Sequence, residues 1–110
     1  MNELWEQAEV WACKFFNMRL TSGSGRGHDK GDGKDPDWMM EVKSYSNKSY
    51  GLNYEKFREW RLNASNSDKN FFMVTIPVID GQLSPKDAIV SLEARLWQSI
   101  LNEQTNSLTN

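Results

Sequence analysis

Residues 38–45, Trp38-Met39-Met40-Glu41-Val42-Lys43-Ser44-Tyr45, decide how this chain folds. Trp38, Met40 and Val42 alternate with Met39, Glu41 and Lys43, the period of two that marks a β-strand. Val42 then points into a core while Glu41 and Lys43 share the opposite face, so a carboxylate and an ammonium stand side by side on a rigid element. Upstream, residues 21–37 hold five of the chain's seven glycines within eleven positions, which rules out a regular helix and predicts a folded loop with a short strand. Within it, Gly33-Lys34-Asp35-Pro36 carries the residue types that let a chain double back, and doubling back would bring Asp32 beside Glu41.

The flanking segments supply the layers. Over residues 4–16 the spacing of Leu4, Trp5, Ala8, Trp11, Ala12, Phe15 and Phe16 predicts an amphipathic helix whose aromatic residues face the core, with Glu9 at the border of that face and Glu3 and Glu6 towards solvent. Asn53 caps a second helix through Ala64, with Tyr54, Phe57, Trp60 and Ala64 on one side. Residues 71–79 read as a buried strand in which Pro77 predicts a departure from the sheet or an edge position. Asp80-Gly81 reads as a turn. Ser84-Pro85-Lys86-Asp87 has the hydroxyl, the proline and the carboxylate of a helix start, and Ile89, Leu92, Leu96, Trp97, Ile100 and Leu101 predict that this helix continues, fraying from Thr105. The expectation is a single α/β domain over residues 1–104 with a frayed tail at 105–110: a small sandwich of a mixed central sheet flanked by helices, ending in a C-terminal helix.

Composition narrows the chemistry. With 110 residues, 38% hydrophobic and 25% charged, the chain is one globular domain, and no stretch approaches the roughly 18 consecutive apolar residues of a membrane span. The acidic Met1-Asn2-Glu3-Leu4-Trp5-Glu6 start does not resemble a signal peptide, and the one cysteine, Cys13, fits a reducing compartment, so a cytoplasmic protein is expected. A lone His28 and a lone Cys13 cannot build a Cys/His zinc site or a Cys-His-Asn protease, which leaves carboxylates, lysines and hydroxyls to do any chemistry. The net charge of −2 argues against an indiscriminately basic nucleic-acid binder. Its distribution is uneven, however: residues 14–61 carry ten Lys or Arg against seven Asp or Glu, and the remainder three against eight. A basic middle with clustered acids suits a metal site facing a polyanion.

Asp32 and Glu41 brought together offer hard oxygen ligands for Mg²⁺, with the backbone carbonyl of Val42 as a third donor. Asp37 cannot replace Asp32, because four residues of one strand separate it from Glu41 by roughly 13 Å. Asp35 and Asp37 are better turn formers, and Asp29 is a weaker candidate. An EF-hand fails on register, since counting back from Glu41 puts Lys30 first and Asp35 sixth. A phosphate-binding P-loop fails because His28 stands where its first glycine belongs.

Taken in order, Glu9 in the first helix, Ser22-Gly23-Ser24-Gly25, Lys30-Gly31-Asp32 and Glu41-Val42-Lys43, followed by a helix and a hydrophobic strand, resemble the PD-(D/E)XK nuclease superfamily and within it the small archaeal-type and phage-type Holliday-junction resolvases. The likeness spans residues 6–79; the literal Pro36-Asp37 is a decoy by the distance argument. It implies a restriction-endonuclease-like fold and a Mg²⁺-dependent DNA endonuclease, with Mn²⁺ able to substitute and branched DNA as the expected substrate, duplex or single-stranded DNA being the alternative to junctions. Asp32 and Glu41 would be metal ligands, Lys43 the catalytic lysine and Glu9 a further acidic residue serving the metal. Ser22, Ser24 and Arg26 would hold neighbouring phosphates, and Lys30 and Lys48 would be further backbone contacts. Cutting two strands needs two sites, so a homodimer is expected, through the last helix with Leu96, Trp97 and Ile100. The family's closing strand is missing from the sequence reading, which places a helix there from Pro85. The competing reading, a non-catalytic DNA-binding module, keeps the basic middle but has no use for Asp32, Glu41 and Lys43 together.

Overall fold

The fold is built on two parallel strands, β3 (Trp38–Tyr45) and β4 (Asn70–Ile79), paired in register from Trp38 opposite Asn70 to Tyr45 opposite Pro77. The computed structural model describes residues 3–21 and 31–109, with only the backbone at 106–109. Parallel neighbours need a crossover, here α2 (Tyr54–Asn66), whose first turn is closed by the Asn53 side chain accepting the Lys56 N–H at 3.0 Å. On one side of β3 lies β2 (Gly33–Lys34), antiparallel and itself paired with β1 (Arg19–Leu20). The far side of β4 is covered by two short antiparallel strands, β5 (Gln82–Leu83) and β6 (Ile89–Ser91). The result is a mixed α/β sheet of six strands with three helices, the first being α1 (Leu4–Phe15) and the last α3 (Ala94–Thr109).

The two faces of this sheet form two cores. Ala8, Ala12 and Cys13 of α1 press on Met40, Val42, Phe72, Val74 and Ile76, while Phe57 and Ala64 of α2 press on Met39, Phe71 and Met73. Covered on both faces, β4 is buried without interruption from Phe71 to Ile76, which is why its sequence is continuously apolar rather than alternating. Alanines at the two α1 positions nearest the sheet let the helix approach closely. Of the larger residues expected there, Trp11 and Phe16 pack against the core, whereas Trp5 is 54% and Phe15 65% exposed, and Tyr54 at the start of α2 is also exposed. An apolar stripe wider than the contact it makes is the reason periodicity overcounted the core.

The C-terminal third departs most from the sequence reading. The helix expected from Pro85 is a single 3₁₀ turn, Pro85–Asp87, closed by the Ser84 hydroxyl donating to Asp87 at 2.5 Å. The chain then extends at Ala88, and Ile89–Ser91 pairs with Met73, Val74 and Thr75. Pro85 takes the first position of that turn, but the Ser84 side chain makes no cap bond to the backbone, and β-branched Ile89 and Val90 pair with the edge of β4, whose backbone groups would otherwise be unmatched. Helix resumes only at Ala94 and runs to Thr109. Pro77 does not end its strand either. It lies beyond the β6 pairing, which stops at Thr75, and opposite Ser84, whose N–H donates to the Pro77 carbonyl at 2.8 Å, so the proline forgoes only the reciprocal bond of that pair. Asp80 and Gly81, both at positive φ (53° and 77°), form the two-residue turn that the sequence predicted.

Among the described residues no helix is long and apolar enough to cross a membrane.

Candidate active site

The ladder between β2 and β3 is short, and its end makes the site. Gly33 and Lys34 pair with Met40 and Met39, the Asp32 N–H still reaches the Met40 carbonyl at 2.8 Å, and there the pairing stops. The Asp32 side chain takes over: its Oδ2 accepts the Val42 N–H at 2.7 Å. A carboxylate thus sits in the plane of the sheet at the open edge of β3, 4% exposed. The N–H and C=O of one strand residue point the same way, so the Val42 carbonyl is also directed to this edge.

Two features of the hairpin hold Asp32 there. Gly31 has φ +80°, and a Cβ on it would lie 2.7 Å from Met39 Cγ and 3.2 Å from the Met40 carbonyl, so only glycine lets the chain turn away this close to β3. Asp35 Oδ1 accepts from the Asp37 and Trp38 N–H groups at 2.8 and 2.7 Å, closing the β2–β3 connection as the turn former it was expected to be. Thr21 also pairs with this stretch, its N–H on the Asp32 carbonyl and its hydroxyl on that of Gly31. Thr21 is therefore fastened beside Gly31 and Asp32. Ser22, Ser24, Arg26 and Lys30, predicted to contact DNA, fall within 22–30 and lie outside the described residues, as does Asp29; Lys48 is exposed in the segment after β3.

Of the other three predicted residues, two meet Asp32 and the third, Lys43, meets Glu41. Glu41, 7% exposed, and half-buried Glu9 of α1 each share a side-chain hydrogen bond with it, Glu9 from the α1 side of the sheet and Glu41 from β3 itself. Glu6 is occupied elsewhere, accepting the Glu3 N–H at the helix start, which leaves Glu9 as the α1 residue that serves the site. Lys43 Nζ lies 3.9 Å from Glu41 Oε2.

Crowding three acids with one ammonium has an electrostatic consequence. Burial first, then the Asp32 charge, pushes Glu41 up to about 8, with the nearby Lys43 ammonium partly offsetting both. The same two causes push Glu9 up to about 7. In each case the hydrogen bond to Asp32 also favours the protonated form. Beneath it, the Cys13 thiol is pushed up to about 11 by burial and by the charges of Asp32 and Glu9, which keeps it an unreactive neutral packing group.

No family model matches the chain, and no curated protein or solved structure matches it. The site's chemistry therefore rests on its own geometry. Among the described residues no group of three or more His, Cys, Asp or Glu is already arranged as a metal cage. The donors at the β3 edge are nonetheless all hard oxygens, and two carboxylates with a carbonyl suit a small divalent cation that keeps several waters.

Sequence reasoning missed one neighbour of Lys43 and one aromatic pair farther along β3. Trp60, assigned to the core, is only half-buried, and Lys43 Nζ lies 5.3 Å from its ring centroid, a cation–π contact across from α2. Tyr45 stacks at a tilt on Tyr50, with centroids 5.1 Å apart. The strand alternation already placed Tyr45 on the Lys43 face; nothing local announced that Tyr50 would fold back onto it.

Proposed function

We propose that this chain is a metal-dependent endonuclease that hydrolyses DNA phosphodiesters, with branched DNA of the Holliday-junction kind as its substrate class. The observation that carries the reading is the meeting of Asp32 and Glu41, from the two arms of one hairpin, at an open strand edge beside Lys43, with Glu9 arriving from a separate helix. Structural ion pairs do not need three acids pressed together with one lysine; such crowding favours a further cation. The closing strand β6 supports the reading too, since its absence was the departure from the resolvase element order.

Asp32, Glu41 and the Val42 carbonyl would hold Mg²⁺ or Mn²⁺, which would polarise the scissile phosphate and make bound water a stronger nucleophile. The residues of the chain do the rest. Lys43 supplies a positive charge at the face where negative charge grows as water oxygen bonds to phosphorus and the ester P–O bond breaks, the water proton ending on the departing oxygen. Glu9, hydrogen-bonded to Asp32, fixes the orientation of that carboxylate. A cytoplasmic setting agrees with the buried free thiol of Cys13. A second copy would supply the second cut, pairing through α3. That helix meets the body at its first turns, where Trp97 and Ile100 line a pocket of about 370 Å³ with Phe16, Trp38, Phe72 and Leu92, and it leaves Leu101 half-exposed beyond.

The test is incubation of the wild-type chain and Lys43→Ala with four-way junctions, duplex and single strands, in Mg²⁺, Mn²⁺ or EDTA. Cleavage that needs metal and falls by about 10²-fold or more in the variant is expected, the scale of a lost transition-state charge. Cleavage in EDTA, or an equally active variant, overturns the mechanism; DNA binding by an uncleaving wild type favours the non-catalytic DNA-binding module.

A further inference from the structure

Glu41, Lys43 and Tyr45 lie in a row on one face of β3, and the Cα atoms of neighbours in that row are about 7 Å apart. Tyr45 is half-buried, Tyr50 is 40% exposed, and neither ring belongs to either core, so packing of the domain does not call for the pair. The stretch of chain between Glu41 and Glu55 is basic. Residues 42–54 contain Lys43, Lys48, three tyrosines and no acidic residue, in a chain whose net charge is negative. An exposed aromatic platform among lysines, one step along a strand from a site proposed to act on a phosphodiester, is the combination that holds unpaired nucleotides: lysines for the backbone, a ring for the base.

We propose that Tyr45 and Tyr50 form a stacking subsite for an unpaired nucleobase of a DNA strand whose phosphate lies at Lys43. The inference rests on the nuclease reading and deepens it: the favoured substrate has unstacked bases next to the cut, at a branch point, flap or single-stranded stretch, because a base locked in a duplex cannot present its face to Tyr50. Tyr50 contributes the exposed face, and Tyr45 supports it from the strand.

The experiment is fluorescence anisotropy with the full chain in EDTA, where strands are held without metal-dependent cutting, using a labelled oligo-dT strand and a blunt duplex of equal length as probes. Tyr50→Ala is expected to weaken single-strand binding by about tenfold while leaving duplex binding unchanged. Tyr50→Leu, which keeps apolar bulk without the π face, is expected to lose the same affinity, and Tyr50→Phe to retain it. Unchanged urea midpoints of the three variants show that the fold is intact. Single-strand affinity that survives Tyr50→Ala, an equal loss on duplex, or a wild type that binds no single strand overturns the proposal. Because no cleavage is read, a chain that binds as described but never cuts refutes the nuclease reading and leaves the subsite standing.

Discussion

Replacing Glu41 with glutamine isolates the electrostatic cost of the site. Glu41 is raised from the ordinary 4.5 to about 8, mainly by burial, so between these pH values the folded chain keeps a proton that the unfolded chain has released. The stabilisation from that proton is full below about pH 4.5 and is lost as pH rises through about 8. At roughly 1.36 kcal/mol per pH unit the window corresponds to on the order of 5 kcal/mol, a large part of a small domain's stability, of which about 4 falls between pH 5 and pH 9. Glu9, raised to about 7 but only half-buried, adds a smaller loss of the same sign. The assay is urea unfolding without divalent metal from pH 5 to pH 9. The wild-type midpoint is expected to fall by about 2 M, given a slope of roughly 2 kcal/mol per molar. Glu41→Gln, neutral throughout and able to donate its amide to Asp32, is expected to match the wild type at pH 5 and to exceed it at pH 9. Mg²⁺ should restore the wild type increasingly as pH rises, by about 2.7 kcal/mol at a hundredfold excess over its dissociation constant. A wild-type midpoint that is flat or rises with pH, or a variant with an unchanged slope, would refute the reasoning. Indifference to Mg²⁺ at every pH would count against the proposed metal.

Gly31→Ala should destabilise the chain by about 2 kcal/mol or more, since it adds a left-handed backbone penalty to a Cβ at 2.7 Å from Met39 Cγ. Gly81→Ala, at φ +77° with open space around it, should cost only the backbone part, and equal urea midpoints for the two would show that the Gly31 contact is not as described. For the proposed dimer, Leu101→Glu should yield a monomer by light scattering where the wild type gives twice the chain mass; a monomeric wild type would remove α3 as the interface.

The layered α/β arrangement was readable because it depends on periodicity, and period is a local property. Residues 38–45 and 71–79 alternate or run apolar according to how many faces are covered, and 4–16 repeat every three to four residues, whatever they pack against. Glu9, Asp32, Glu41 and Lys43 were readable for a related reason: strand alternation and helix phase fix which way a side chain points. The helix expected from Pro85 could not be corrected locally, because Ser84, Pro85 and Asp87 have the residue types of a helix start and do form a single helical turn. What overrode them was the bare edge of β4, more than ten residues upstream in sequence. Nor does any pattern reveal that Trp5 and Phe15 stay exposed, since the width of the contact that α1 makes is set by the sheet beneath it.

By itself, then, the sequence determined the helices α1 and α2, the strands β3 and β4, the turn at Asp80-Gly81 and the doubling back that sets Asp32 against Glu41. Tertiary structure alone decided that β2 would stop where Asp32 could take the Val42 N–H, that burial would hold protons on Glu9 and Glu41, and that Tyr50 would settle on Tyr45. The division follows from range. Dihedral preference and hydrophobic period act over a few residues, whereas burial, edge pairing and the mutual repulsion of charges exist only once distant segments are in contact.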